Sequence, residues 1–258
     1  MKEEENISLK EQKEAFEKIL SFLEEEKEKR IFEKIEIFHG KRIDKLEKND
    51  VSVPLREGAK IVLHLIPFNS FVSPKNYDLS KYQGKYLELK TLRGSGYFQI
   101  YDFDGLIHSH EITENKSLGY VRLFTNGIIE AVNVHSLVSL KTTDMSLPIH
   151  LIENQIVDKL KEYLLFLKEK LKVEPPIIFY LSLLEVEKCT ILRPDPSVDF
   201  SDEIHNFGRK ILNFSKIIID TFDLVPEKIL KTTFDRIWNA AGYPRSFHYN
   251  NYGEWIKK

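Results

Sequence analysis

The chain has 258 residues, of which 38 are Lys or Arg and 40 are Asp or Glu, so its formal net charge at pH 7 is −2. This near-balance excludes a globally basic nucleic-acid coat and a strongly acidic tail protein, and 42% hydrophobic residues exclude wholesale disorder. A single cysteine, Cys189, excludes an intramolecular disulfide and cysteine-rich zinc sites, and favours a cytoplasmic protein. Neither a signal peptide nor a membrane helix is predicted.

The charge is unevenly distributed along the chain. Residues 1–50 hold 12 basic and 15 acidic side chains, net −3, whereas the rest of the chain is net +1. Apolar residues recur at helical spacing through this charged stretch, and no proline occurs before Pro54. We predict two helical segments, residues 8–30 and 31–48, with a weak point at Gly40 where the helix bends or restarts. Their apolar stripe must face either the rest of the chain or another protein.

A buried strand is predicted next. Residues 60–68 form a short run rich in branched side chains, and Pro67 stops it. His64 lies inside this run, where a lone histidine is more often a hydrogen-bonded core or edge residue than a ligand or a general base. Residues 69–84 are rich in turn formers and are predicted to be a long surface loop.

Two β-hairpins are indicated by dipeptides that are typical of tight turns. Asp104-Gly105 is expected to supply the positive φ values that such a turn requires, and Asn126-Gly127 is the strongest such signal in the chain. Both connections must be antiparallel, because a two-residue turn cannot join parallel strands. The predicted strands are residues 98–103 and 106–109 in the first hairpin, and 120–125 and 128–134 in the second.

The second half of the chain predicts helices and strands in alternation, without an internal repeat. We therefore predict an α+β fold in which antiparallel β-hairpins and a central sheet pack with helices, plus an N-terminal helical segment. The expected domains are a charged helical segment, residues 1–50, and a single α+β domain, residues 51–258. The remaining elements are a helix over residues 149–172 before Pro175-Pro176, strands over 177–186 and 217–220, and a helix from Pro226 to Gly242.

Four strings in the chain resemble one bacterial family in the same order: VPLREGAKIVLHLIPFNSF, YDFDGL, YVRLFTNGIIEAV and FDRIWNAAGYPRSFHYNNYGEW. Over residues 35–255 the chain resembles the region that follows the AlbA-type, Schlafen-like DNA-binding domain. In such relatives a whole domain stands before this region, whereas here a charged stretch of about 50 residues does. The resemblance implies an accessory region whose partner is another protein, such as an AlbA-type or ATPase partner in trans. It carries over no catalytic residue.

Four side chains around the first hairpin have the residue types of a metal site. His108 and His110 lie on one face of a strand, and Asp102 and Asp104 have the same spacing, so together they could ligate a divalent metal. We favour a turn role for Asp104 and a solvated face for the histidines, because spacing without geometry often misleads. A loop of carboxylates also resembles a Mg²⁺ or Ca²⁺ site, but its prolines favour a solvated turn. Its candidate ligands are Asp195, Asp199, Asp202, Glu203 and His205.

A nuclease-like triplet supports an alternative function. Asp78, followed by Glu88 and Lys90, imitates the split Asp…Glu-x-Lys signature of restriction-type nucleases, in which two carboxylates bind a metal and the lysine lies near the attacked phosphate. Such a triplet is a frequent coincidence in a chain with 30% charged residues. A metal-dependent nuclease or phosphodiesterase is therefore the alternative, and a divalent metal is the expected cofactor only under it.

The C-terminus is rich in aromatic side chains beside basic ones. Such side chains stack single-stranded bases in some proteins, and in others they wrap the body or form a partner interface. We favour wrapping, and a nucleic-acid-binding module without catalysis is the third function considered. The candidate nucleic-acid or partner-binding residues are Arg236, Arg245, His248, Tyr249, Tyr252 and Trp255.

Motifs for nucleotide binding and nucleophilic catalysis are absent from the sequence. Gly84-Lys85 lacks the rest of a phosphate-binding loop, and Gly94-Ser95-Gly96 fits neither a dinucleotide fingerprint nor a nucleophile elbow. We therefore expect a non-catalytic protein-interaction or regulatory module. The resemblance implies that its system is nucleic-acid-associated, as in relatives that also include defence proteins. Its interface would be the charged N-terminal helices or the aromatic C-terminus.

Overall fold

The computed structural model describes residues 2–84, 88–94, 98–110, 112–135, 146–192 and 206–256. Within these residues the chain forms four α-helices and twelve β-strands, and eight of the strands build one sheet. The predicted α+β fold class is confirmed. Among the same residues, the structure contains no helix that combines the length and the apolar character needed to span a bilayer.

The central sheet is antiparallel at every pairing of its strands. The strands of the chain are β1 (Ala59–Pro67), β2 (Phe98–Tyr101), β3 (Gly105–Ser109), β4 (Ile112–Thr113), β5 (Lys116–Ser117), β6 (Gly119–Phe124), β7 (Ile129–His135), β8 (Ser146–Leu147), β9 (Ile177–Leu184), β10 (Thr190–Ile191), β11 (Ile211–Asn213) and β12 (Ile217–Ile219). The order in the central sheet is β11, β9, β1, β7, β6, β3, β2, and β12 also pairs with β9.

Helices cover both faces of the sheet. The helices are α1 (Lys2–Glu47), α2 (Asn69–Val72), α3 (Ile149–Glu169) and α4 (Pro226–Ala240), with a 3-10 turn at Leu79–Tyr82. Alternate residues of β1 point to opposite faces, so Leu63 joins the core under α3 and α4, whereas Val62 and Ile66 join the clusters under α1. The sheet is thus the middle of three layers.

The N-terminus forms one continuous helix, so the prediction of two segments is wrong. α1 runs from Lys2 to Glu47 through the charged run and through Gly40. Glu and Lys are good helix formers, and a glycine in a helix costs only about 1 kcal/mol relative to alanine. The packing of the following turns on the sheet outweighs that cost. Residues 69–84 are also more regular than predicted, because they contain α2 and the 3-10 turn.

Both predicted hairpins form, but the role expected for Gly105 is wrong. Neither Asp104 nor Gly105 has a positive φ. Gly105 is required for a different reason, since a Cβ there would lie 2.1 Å from the carbonyl oxygen of Leu123 on the neighbouring strand. Gly127, at φ +88°, does adopt the left-handed conformation expected of its turn.

Candidate protein interface on the N-terminal helix

The second half of α1 is fixed to the sheet by apolar packing. Ile35 and Leu46 are completely buried, and Ile31 and Ile43 are nearly so. These side chains are four, eight and three residues apart, so they share the face of the helix that meets β1, β6, β7 and β9. We call residues 31–47 the anchored half of α1, and residues 2–30 its free half.

A buried polar network adds a directional link between the anchored half and the sheet. The Arg42 guanidinium donates two hydrogen bonds to the Glu130 carboxylate, from Nε to Oε2 and from Nη2 to Oε1, both at 2.7 Å. The Tyr120 hydroxyl donates to Glu130 Oε1 at 2.8 Å, and His64 Nε2 lies 2.9 Å from Oε2. His39 reaches the network through a 2.9 Å contact between its Nδ1 and that of His64.

The electrostatics of this network follow from its burial. Burial alone would raise the pKa of Glu130, but hydrogen bonds from His64 and Arg42 outweigh it and hold the pKa well below its usual range. Burial, with a smaller contribution from His64, lowers the pKa of His39 to about 3. The neutral His39 ring stacks on Tyr180, with centroids 4.1 Å apart. The Glu130 carboxylate is therefore a charged group with a structural role, because both of its oxygens are hydrogen-bonded inside the protein.

The free half of α1 carries an apolar stripe that no other part of the described chain covers. Every described side chain from Lys13 to Arg30 is exposed or half-buried. At 1.5 Å per residue, the free half is about 43 Å long. Four large apolar side chains recur along it at helical spacing, each 43–60% exposed. They are Phe16, Ile19, Leu20 and Leu23, which we call the apolar stripe.

The apolar stripe is not an extension of the face that packs on the sheet. At 3.6 residues per turn, it lies about a third of a turn around the helix from that face. In the anchored half, the direction of the stripe is occupied by Lys34 and Ile37, and Ile37 is 56% exposed. The stripe is therefore turned away from the core.

A groove begins where the apolar stripe ends. It has a volume of about 320 Å³, and α2 forms its second wall. Three cations and one carboxylate line it, and none of the three cations has an ion-pair partner among the residues that the structure describes. Apolar stripe and groove share one side of α1, so a single bound segment can contact both. The lining residues are Leu23, Glu26, Lys27, Arg30, Ile31, Lys34, Phe71 and Val72, which we call the base groove.

The four metal-site candidates of the first hairpin lie on two faces of the sheet. Asp102 and Asp104 pair with the buried Arg122, at 2.7 and 3.4 Å, on the side of α1. His108 faces the other side, where it is buried and its Nδ1 lies 3.0 Å from the Leu89 carbonyl oxygen, so the solvated face predicted for the histidines is wrong for His108. Within the described residues, no group of three or more His, Cys, Asp or Glu side chains is arranged to hold a metal. His110, two residues after His108, has its Nε2 2.9 Å from the hydroxyl of Thr91.

The nuclease-like triplet serves separate local contacts. Asp78 caps the 3-10 turn, where it accepts hydrogen bonds from the backbone and the hydroxyl of Ser80. Glu88 pairs with Lys170 at 3.1 Å. The main-chain carbonyl of Lys90 accepts a 2.7 Å hydrogen bond from the Tyr163 hydroxyl. The acidic loop that contains Asp195, Asp199, Asp202, Glu203 and His205 lies outside the described residues.

A second buried carboxylate ties the C-terminal segment to α3. Glu153 is completely buried, and it accepts hydrogen bonds from Trp238 Nε1 at 2.8 Å and from Ser246 Oγ at 2.9 Å. His248 Nδ1 lies 2.6 Å from the same carboxylate. Serine, histidine and glutamate meet here, but the serine bonds to the carboxylate and not to the imidazole, so the arrangement lacks the relay of a hydrolase triad.

Most of the C-terminal candidate residues make their contacts inside the protein. His248 is 1% exposed and Tyr249 is 3% exposed, and the Tyr249 hydroxyl donates to the Glu227 carbonyl oxygen at 2.5 Å. Their rings are closed to a nucleic-acid base. Tyr252, in contrast, is 90% exposed. The remaining candidates make local contacts: Arg236 with Ser215, Arg245 with Asn250 and Asn251, and Trp255 with Phe234, His248 and Tyr249.

Sequence reasoning missed the residues that anchor α1. Glu130 interrupts an apolar strand, and a lone carboxylate in such a run must be paired. That signal identifies Glu130, but it does not identify Arg42, which is one of many cations on a charged helix. His64 is a hydrogen-bonded core residue, as predicted. Cys189 is also buried, and burial raises the pKa of its thiol to about 11.

Comparisons with known proteins identified no relative of this chain. No protein-family model matches the chain, and searches of curated proteins and of solved structures also found no match.

Proposed function

We propose that the protein is a non-catalytic interaction module that binds another protein along the free half of α1. The observation that carries this proposal is the apolar stripe, four large side chains that stay exposed on a helix whose other half is fixed to the sheet. Contiguous exposed apolar residues mark interaction sites, whereas single ones are normal on a protein surface. A helix of mixed charge also gains most of its stability from packing, so a partner would stabilise the free half.

The size of the apolar stripe indicates that a partner must also contact the base groove. Full burial of one such side chain contributes about 2 kcal/mol, and these four are already about half buried, so the stripe contributes about 4 kcal/mol in total. That corresponds to a dissociation constant of only about 1 mM. A stable complex therefore requires the additional contacts that Phe71 and Val72 offer in the base groove.

The charge of the base groove specifies the chemistry of the partner. Lys27, Arg30 and Lys34 outnumber the single carboxylate of Glu26. The complementary partner is an amphipathic helix with apolar residues against the stripe and acidic residues at the end that enters the groove. The resemblance described above suggests a partner with an AlbA-type or ATPase domain, in a nucleic-acid-associated system.

The proposal is tested with two glutamate substitutions on neighbouring turns of α1. Ile19→Glu places a charge in the apolar stripe, whereas Ser21→Glu places the same charge on the far side of the helix. The full chain and both variants are recovered from the native cell, and the partner that copurifies is quantified by mass spectrometry. We expect Ile19→Glu to reduce its recovery at least tenfold, because a buried carboxylate without a partner costs more than 1.4 kcal/mol. Ser21→Glu should retain it.

Three outcomes would contradict the proposal. The first is a clean monomer without a partner, even from the native cell, and the second is a partner that both variants retain equally. The third is self-association of the purified chain that Ile19→Glu abolishes in sedimentation equilibrium. That result would assign the stripe to a second copy of this chain instead. Arg30→Glu separately tests the acidic end, because it should weaken binding while leaving the apolar stripe intact.

A further inference from the structure

Lys60, the second residue of β1, is a largely buried side chain whose ammonium group pairs with none of the described residues. It is 5% exposed, and no hydrogen bond or ion pair joins its ammonium group to another described side chain. Lysine is almost never buried in this way unless it is paired. Burial lowers the pKa of Lys60, and the more distant Glu185 only partly opposes that effect. The stem of Lys60 is buried, whereas its ammonium nitrogen is not among the enclosed polar atoms that lack a partner, so this charge is open to a bound anion.

The Lys60 side chain lines a cleft that lies far from the apolar stripe. The cleft has a volume of about 600 Å³, which is within the range of small-molecule sites. It forms where the end of α1, the segment before β1 and the turn after β9 meet. Its lining residues are Glu47, Asn49, Leu55, Arg56, Glu57, Gly58, Lys60, Lys116, Glu185, Glu187, Lys188 and Lys210.

The charges around the cleft divide into paired and unpaired groups. Lys210 is neutralised by Glu47 at 2.9 Å and by Glu185 at 3.4 Å. In the described part of the chain, four cations of the cleft then remain without an ion pair, against two carboxylates. The unpaired cations are Arg56, Lys60, Lys116 and Lys188, and the unpaired carboxylates are Glu57 and Glu187.

We propose that this cleft binds a small polar molecule through a phosphate group that pairs with Lys60. A lysine ammonium is a common phosphate ligand, because it is a compact point charge with three donors. The cleft is much larger than one phosphate, so the rest of the ligand occupies it too. Glu57 and Glu187 accept hydrogen bonds from hydroxyl or amino groups there, which favours a sugar phosphate or a nucleotide over free phosphate.

The test measures binding of defined probes to the full chain by isothermal titration calorimetry. The probes are inorganic phosphate, glucose 6-phosphate and AMP, with glucose and adenosine as their counterparts without phosphate. We expect glucose 6-phosphate or AMP to bind more tightly than inorganic phosphate, and the counterparts to show no binding. Lys60→Met should weaken binding at least tenfold, because a hydrogen-bonded ion pair is lost. The control Lys228→Met removes an exposed lysine of α4 and should change the affinity less than twofold.

The stability of Lys60→Met checks that a loss of binding is not a loss of folding. Methionine has a similar length and no charge, so we expect the variant to fold and to melt at a higher temperature than the wild type. The proposal is overturned if no phosphorylated probe binds, or if Lys60→Met binds as tightly as the wild type. Ile19→Glu should bind the probes normally, because residue 19 lies about 40 Å along α1 from its end at Glu47. The cleft therefore succeeds or fails independently of the protein interface.

Discussion

Arg42 and Glu130 lie 88 residues apart in the chain, and two hydrogen bonds of 2.7 Å join them inside the protein. The side chain of Arg42 is 7% exposed and that of Glu130 is not exposed at all. Arg42 belongs to α1, and Glu130 lies on β7 near the middle of the sheet. A bidentate pair requires one relative orientation of its two partners. This pair therefore fixes how α1 lies on the sheet, and with it the direction in which the free half projects.

Removal of Arg42 should strongly destabilise the protein. Arg42→Met leaves Glu130 charged and without its main partner in the interior, and we expect the free energy of unfolding to fall by about 3–5 kcal/mol. Urea unfolding followed by circular dichroism measures the change. Arg30→Met removes an exposed arginine from the same helix, and its effect should stay within about 0.5 kcal/mol.

A double substitution separates the lost pair from the stranded charge. Glu130→Gln removes the buried charge while keeping the shape of the side chain. Added to Arg42→Met, it should recover part of the lost stability, because most of the cost lies in the uncompensated carboxylate. If the two effects simply add, Glu130 does not depend on Arg42 and the account of the anchor is wrong.

Stability should fall in acid because of His39 and Glu130. The pKa of His39 is lowered from 6.5 to about 3 in the folded chain, so between these values the unfolded state binds the extra proton. The stabilisation is complete above pH 6.5 and is lost as the pH falls toward 3, by about 4 kcal/mol. Glu130 acts in the same sense below 4.5, since its pKa is also lowered by folding. Urea unfolding across this pH range measures the slope, and His39→Gln should reduce it above pH 4.5, where His108 and His135 still contribute because burial lowers their pKa values as well. An unchanged slope would contradict this assignment.

Two glycine-to-alanine substitutions should have opposite signs. A Cβ at Gly105 would lie 2.1 Å from the Leu123 carbonyl oxygen, so the strands must separate, and we expect a loss of about 2 kcal/mol or more. A Cβ at Gly40 would meet no heavy atom within 4 Å, and alanine is the better helix former there. Gly40→Ala should therefore stabilise by about 0.5–1 kcal/mol. Thermal unfolding compares the two variants, and equal melting temperatures would show that the contact at Gly105 is not restrictive.

Local patterns in the sequence were sufficient for most of the secondary structure. The step of three or four residues predicted α3, and alternation with turn dipeptides predicted β6 and β7. Pro226 and Gly242 bracket α4 as expected. The errors arose where a distant contact decided the outcome. Gly40 does not interrupt α1, because the following turns pack on the sheet, and Gly105 is set by the approach of Leu123.

The candidate interface could be predicted only in part. Phe16, Ile19, Leu20 and Leu23 are readable as a helical apolar stripe, but an identical pattern is found on helices that pack on their own domain. The sequence left open whether the apolar residues of this helix pack on the chain itself or on another protein. In the structure, the anchored half of α1 packs on the sheet, whereas the apolar stripe of the free half stays exposed. The base groove could not be predicted, because its second wall comes from α2, which the sequence indicated as loop.

Composition and periodicity alone determined the fold class, the charged N-terminal helix, and a lack of standard catalytic motifs. These properties depend on residues that are close together in the chain, so the spacing of residue types along the sequence is enough to predict them. Only the tertiary structure decided which half of α1 stays exposed, which carboxylates are paired, and that Lys60 lines a cleft. Those outcomes depend on burial and on partners far away in sequence, such as Arg42 and Glu130. The cost of a buried charge is set by the groups that surround it in space, and the order of residues does not specify those groups directly.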